Sequence, residues 1–295
     1  MATLKALKTR IGSVSSSEKI TGAMKMISSA KVHMNEMELR KLVPFRNQVK
    51  SVMGHLLDTN MEFDSPLLTE REVKKVGVVV FGTDDGLCGA YNINIFKQLL
   101  IEISHLHQKY GDKVEITVYP IGKKMAKACS HLAYDGVKTA MYPGVNSKME
   151  GKVVNDFTQG LRKAFLAGEV DHVEVLYMKF ISMSRQRATV EQIFPVSREA
   201  LEGPQKEGED NKLYIFEPDA NSIFNEVLPM FVLSTMQEIT IENRASEQAA
   251  RVMAMQSAND NAKKLLDSLQ LEYNKLRQQS ITTELLDILG GQVER

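Results

Sequence analysis

Apolar positions divide the chain into three stretches with different periods. In the first, Leu4, Leu7, Ile11 and Val14 recur every three or four residues, and Ile20, Met24, Ile27 and Met34 continue the strip. That spacing predicts an amphipathic helix. Small residues are interleaved with it: Gly12, Ser13, Ser15, Ser16, Ser17, Gly22, Ala23, Ser28, Ser29 and Ala30. Glycine costs a helix about 1 kcal/mol relative to alanine, so this helix is weak alone, but small side chains admit a second helix at close range. Pro44 predicts a kink, with the helix continuing to about Leu57.

The middle stretch changes period. Val76–Phe81 is a continuous β-branched run, as expected of a strand buried on both faces. A turn over Gly82–Gly86 and a helix over Tyr91–Tyr110 follow. Val114–Ile121 reads as a second strand, Gly122–Leu132 as a short helix and Gly136–Pro143 as a short third strand. Lys152–Ala167 has helical spacing. Val173–Ser182 and Ala188–Val196 read as strands joined by the polar turn Ser184–Arg187. The β-α-β-α order implies a mainly parallel sheet with helices on its faces and an antiparallel pair at its C-terminal edge. Residues 197–212 are polar and charged and read as a mobile linker.

In the third stretch no Gly or Pro follows Pro229 until Gly290. One helix of that length reaches about 90 Å and needs a partner to support it. A three-four repeat supplies the seam: Ala245, Gln248, Val252, Met255, Asn259, Ala262, Leu266, Leu269, Tyr273, Leu276, Ser280 and Thr283. Such a repeat implies left-handed supercoiling. The expected fold class is therefore α/β: an antiparallel coiled coil of long N- and C-terminal helices plus a central Rossmann-like α/β domain. The expected division is 1–60 for the first rod helix, 74–197 for the α/β domain, 198–212 for the linker and 213–295 for a strand leading into the last helix.

Composition agrees with that picture. There is no Trp and aromatic residues make up 6%, which is thin for one large compact core and suits extended helices packed through Ala, Leu and Met. Net charge is zero, which argues against nucleic acid as the main partner. The charge is uneven, with ten Lys/Arg against three Asp/Glu in residues 1–50 and seven against ten in residues 220–295. A solvated helix face accounts for this; a basic end meeting acidic protein surfaces is the sharper alternative. No apolar run approaches the roughly 18 residues of a membrane span, and the N-terminus lacks a signal-peptide core. A soluble protein is expected, linked to membranes only through partners.

Candidate chemistry is sparse. Gly82-Thr-Asp-Asp-Gly86-Leu-Cys-Gly89 follows a strand and precedes a helix, but it matches neither phosphate-loop pattern and lacks their lysine. Asp84 and Asp85 put negative charge where an anion would sit, so a structural turn with a helix cap is expected. Cys88 and Cys129 form no CxxC pair and read as buried thiols. His105 and His107 have the wrong spacing for two ligands on one helix face. Glu207 and Glu209 lie in the charged linker. No catalytic residue, cofactor or metal site is expected.

Particular motifs carry a resemblance. Arg10–Val14 followed by Glu18–Lys31, with its KIT-x-AM-x-M pattern, resembles the first helix of F-type ATP synthase gamma subunits. Ser246–Ala262, Leu271–Gln278 and Ile281–Gly291 resemble the family's last helix and its IT-x-E signature. Asp84–Asn92 is similar to the family's DRGLCG-x-x-N turn, and Tyr214–Asp219 to its Y-x-x-EPD segment. The likeness spans the chain in order. Asp85 stands where the family usually has arginine, and Gln292 where it usually has alanine; the linker has no cysteine pair, so a thiol switch is not expected.

The resemblance implies a rotary shaft inside a ring of three alpha and three beta subunits, bearing on an epsilon subunit and a membrane c-ring. It implies a peripheral place on the cytoplasmic face of a bacterial inner membrane. It also implies polar ring contacts at Arg251, Arg277, Gln278, Thr282 and Glu284, and a coupling contact at Met24. Two other readings predict different behaviour. A nucleotide-binding enzyme with helical dimerisation arms would be stabilised by its ligand, and a homodimeric coiled-coil scaffold would self-associate unaided.

Overall fold

In a computed structural model, residues 3–57, 63–132, 134, 136–201 and 216–293 are described. The chain runs α1 (Leu4–Leu57), β1 (Lys75–Phe81), α2 (Tyr91–Tyr110), β2 (Glu115–Ile121), α3 (Lys123–Cys129), β3 (Val137–Thr139), α4 (Lys152–Leu166), β4 (His172–Ser182), β5 (Arg185–Phe194), α5 (Arg198–Leu201) and α6 (Ala220–Val293). The sheet order is β3-β2-β1-β4-β5. β1 pairs in parallel with β2 and β4, β2 in parallel with β3, and β4 antiparallel with β5.

Several details differ from the sequence reading: β3 and α3 are shorter than the expected Gly136–Pro143 and Gly122–Leu132. The hairpin turn is two residues tighter than Ser184–Arg187: Ser182 already pairs with Arg185, so β5 begins within the expected turn. Its polar residues alternate on an exposed edge strand, and polarity alone does not distinguish an edge strand from a loop. The expected linker over 198–212 starts with the helical turn α5; its remainder, the strand expected at the start of 213–295, and Glu207 and Glu209 lie outside the described residues.

The sheet has an apolar layer on each face. Val76, Val78 and Val80 of β1 pack with Ile95, Leu99, Ile103 and Leu106 of α2 and Met125 of α3. Val79 and Phe81 alternate to the other side, where Phe157 and Phe165 of α4 meet Met53 and Leu56 of α1 and Phe224 and Leu228 of α6. The alternation follows from strand pleating. Both rod helices thus root in the second core, at one end of the rod.

α1 packs chiefly against α6, and the two run antiparallel: Asn259 Nδ2 donates to the Glu18 carbonyl at 2.7 Å, while Arg46 pairs with Glu238. At 1.5 Å per residue, the 54 residues of α1 span about 80 Å and the 74 of α6 about 110 Å. α6 begins before Pro229 and contains it, as α1 contains Pro44. Each proline removes one main-chain hydrogen bond and the surrounding packing carries the helix through.

The expected α6 seam is the packed one. Ala245, Val252, Met255, Asn259 and Leu269 are buried, the intervening seam positions are half-buried, and Thr283 is exposed. The α1 strip holds through Val14 and then departs from the pattern. Ile20, Ile27 and Met34 are 59%, 58% and 67% exposed, so they face outward. The seam instead continues at three-four spacing through Glu18, Thr21, Lys25, Ser28 and Val32, all buried or half-buried. Polar and small residues hold the inner face here, because a slim helix can approach α6 closely: a Cβ on Gly22 would lie 3.3 Å from Asn259 Nδ2.

Candidate functional site

The six residues expected to make partner contacts fall in three places. Arg277, Gln278, Thr282 and Glu284 share the last turns of α6, all exposed. Thr282 Oγ1 donates to the Gln278 carbonyl at 2.9 Å, and Ser280 Oγ lies 3.5 Å from Glu284 Oε1. Ile281, Leu285, Leu286, Ile288 and Leu289 are exposed among them, so the tip is an apolar helix end with polar residues interspersed. Every residue from Ile281 to Leu289 is exposed, whereas Leu7 near the start of α1 is buried. The tip therefore outruns its partner helix.

Met24 sits half-buried in the middle of α1, two residues from the Gly22–Asn259 approach and beside the exposed Met26 and Ile27. Arg251 lies elsewhere and faces inward. It is 6% exposed; its guanidinium pairs with Glu247 at 2.7 Å, and its Nε donates to the Gly86 carbonyl at 3.1 Å. Its contacts are with its own chain, because α6 at this level is covered by α1 on one side and by the α/β domain on the other.

The turn that Arg251 reaches is the glycine-rich loop after β1. Asn92 closes it: its Oδ1 accepts from the Thr83 N–H at 3.1 Å and its Nδ2 donates to Thr83 Oγ1 at 2.8 Å. The side-chain cap expected for α2 is absent at Ala90, so Asn92, inside the helix, takes over the turn. Asp84 accepts from the N–H groups of Lys123 and Ser147 and from the Ser147 hydroxyl. Asp85, the departure from the family pattern, makes an ion pair with Lys148 at 2.9 Å, which holds its carboxyl below the usual carboxylate range. The loop's carboxylates are thus engaged within the chain. Gly122, at φ +94, sits against the Thr83 backbone, where a Cβ would come within 2.8 Å.

Burial shifts several groups. It raises both thiols, Cys129 to about 12, so neither is an activated nucleophile. It raises the Tyr91 phenol, which stays a hydrogen-bond donor to Asn243. Glu242, buried among Tyr177, Glu238, Glu191 and Lys179, is pushed up to about 7. Glu238 and Glu247 are also raised by burial, with Arg46 and Arg251 opposing the shift. Among the described residues no group of three or more His, Cys, Asp or Glu could hold a metal ion. No described helix is long and apolar enough to cross a membrane.

Sequence reasoning missed Asn243 and Tyr91, which bond to each other deep in the molecule. An asparagine between Ile241 and Ala245 of a long helix was the available signal, and its periodicity matched no seam.

The family model described as ATP synthase matches residues 3–293. The ATP synthase gamma chain of Bacteroides thetaiotaomicron is 36% identical over 302 residues, covering 100% of each chain. That of Parabacteroides distasonis is 38% identical, covering 99% of this chain and 98% of the relative. The chain belongs to the ATP synthase gamma-chain family. Solved structures agree in fold. A chain of the Euglena gracilis mitochondrial ATP synthase OSCP/F1/c-ring in rotational state 3 superposes with a TM-score of 0.62 at 20% identity, covering 98% of this chain and 93% of that one. A chain of the same enzyme's rotor gives 0.60 at 16% identity, covering 94% and 98%. The gamma-chain matches include both rod helices and the domain between them.

Proposed function

We propose that this gamma chain is the central shaft of a rotary ATP synthase, coupling ion flow through the membrane sector to ATP synthesis or hydrolysis at beta subunits. The observation that carries the reading is the antiparallel rod whose longer helix ends in an unpaired apolar tip. Chemistry then resides in the ring, and the shaft acts by contact. A rotor biases a catalytic site only through differential interaction with that site's conformers. The rod is suited to this because its faces differ: α1 presents Ile20, Met26, Ile27 and Met34 among lysines, whereas α6 presents a mixed acidic surface. Turning moves that difference from one ring subunit to the next.

In this reading residues 1–60 and 213–295 make the rod, 74–197 the domain that bears on epsilon and the c-ring, and 198–212 the linker. Met24 is a coupling contact, and Arg277, Gln278, Thr282 and Glu284 meet ring loops; Arg251, turned inward, supports the rod rather than touching the ring. The chain sits peripherally at the cytoplasmic face of the inner membrane, held by its partners. Replacing Met24 with Lys adds a charge at a half-buried position and leaves the seam residues themselves unchanged. The expected result in reconstituted vesicles is fewer ions pumped per ATP hydrolysed with the complex still assembled. Wild-type pumping per ATP would remove Met24 from the coupling surface.

A further inference from the structure

The sheet changes its direction of growth at β1, with β2 and β3 on one side and β4 and β5 on the other. In doubly wound sheets the crevice at such a switch point, by the carboxyl ends of the strands, is where ligands bind. Here α6 fills it. Asn243 Oδ1 accepts from the Tyr91 hydroxyl at 2.7 Å and from the Met178 N–H at 3.3 Å, and its Nδ2 donates to the Gly82 carbonyl at 3.5 Å. One side chain thereby joins the end of β1, the first residue of α2 and β4. The register explains the meeting: Val80 pairs with Leu176, which brings Met178 level with Gly82.

Asn243, Glu247 and Arg251 are spaced i, i+4, i+8, one face of a helix. They are 1%, 3% and 6% exposed. Arg251 grips the Gly86 carbonyl and Glu247 holds Arg251. Just beyond, Ala254 lies 3.7 Å from the place a Cβ on Gly89 would take, so the loop rests on the helix. Burying an amide and an ion pair is costly unless every group is partnered. Apolar packing would attach a domain to a helix more cheaply, but it is non-directional, whereas hydrogen bonds hold an angle.

We propose that Asn243, Glu247 and Arg251, with Tyr91, form a torsional key: positioning residues that lock the α/β domain at one angle about the rod. The proposal rests on the shaft reading, since only a part that transmits torque needs its angle fixed. Torque taken up by the domain passes into α6 through these directional bonds.

The test uses the full chain assembled in its alpha/beta ring, with a bead on the domain. Tyr91→Phe removes one hydroxyl, and Asn243→Leu removes the amide at similar volume. Both are expected to broaden the bead's angular distribution in the stalled complex while ATP hydrolysis is unchanged. Loss of one such bond is also expected to speed amide exchange at residues 82–92 by about tenfold. Exchange alone would respond to simple destabilisation; angular spread at unchanged hydrolysis would not. If Asn243→Leu fails to assemble, Tyr91→Phe decides. A wild-type complex that turns its bead, alongside variants of unchanged angular spread, overturns the key. A wild-type complex that hydrolyses ATP with a static bead overturns the shaft reading itself.

Discussion

Glu242 is buried with one carboxylate oxygen lacking a hydrogen-bond partner among the described residues. Desolvation favours its protonated form, so the folded chain holds that proton up to about pH 7, whereas the ordinary value is 4.5. Between those values the folded state binds more protons than the unfolded state, and stability falls as pH rises. Glu242→Gln is expected to remove this slope, raising Tm above wild type at pH 8 and converging with it below about pH 4.5; parallel Tm curves would contradict the assignment. Residues of this kind are the least legible in a sequence. Arg251 and Glu284 are both polar residues of one helix matched to family motifs, yet one is buried and locked against Gly86 and the other is exposed. Residue type gives chemistry, and only the surrounding fold gives direction.

At the scale of elements, the α6 seam was readable because apolar and small residues occupy it for five turns and more. The α1 seam was readable to Val14 and then lost, since Glu18, Thr21 and Lys25 take the inner places while Ile20 and Ile27 face out. Periodicity assumes that apolar means inward, and a helix with apolar residues on its outer surface breaks that assumption. The close approach makes the seam intolerant of bulk. Ala245, a fully buried seam residue, is a case in point. Ala245→Leu is expected to destabilise the chain by about 1–3 kcal/mol, read by denaturant unfolding; wild-type stability would mean the helices are not tightly packed there. The tip should behave oppositely. Removing the residues after Leu289 is expected to leave ring assembly and ATPase activity nearly intact, whereas deleting 262–289 abolishes them. The reverse ranking would contradict the role given to the tip.

For the whole molecule, the alternation of strands and helices along the chain implies the parallel sheet with its antiparallel edge. What the alternation could not give was the strand order, and with it the crevice at β1 and β4 that α6 occupies. That contact crosses about 160 residues of chain, between Gly82 and Asn243, and no local pattern announces it. The consequence is a single mechanical body: a domain with two cores, one of them shared with the roots of both rod helices, carrying a lopsided rod that ends in a bare apolar tip. The most direct measurement is single-molecule rotation of a bead fixed to the α/β domain of the full chain, assembled in its immobilised alpha/beta ring and supplied with ATP. The account predicts continuous turning in one direction. ATP hydrolysis with a bead that stays still would contradict it.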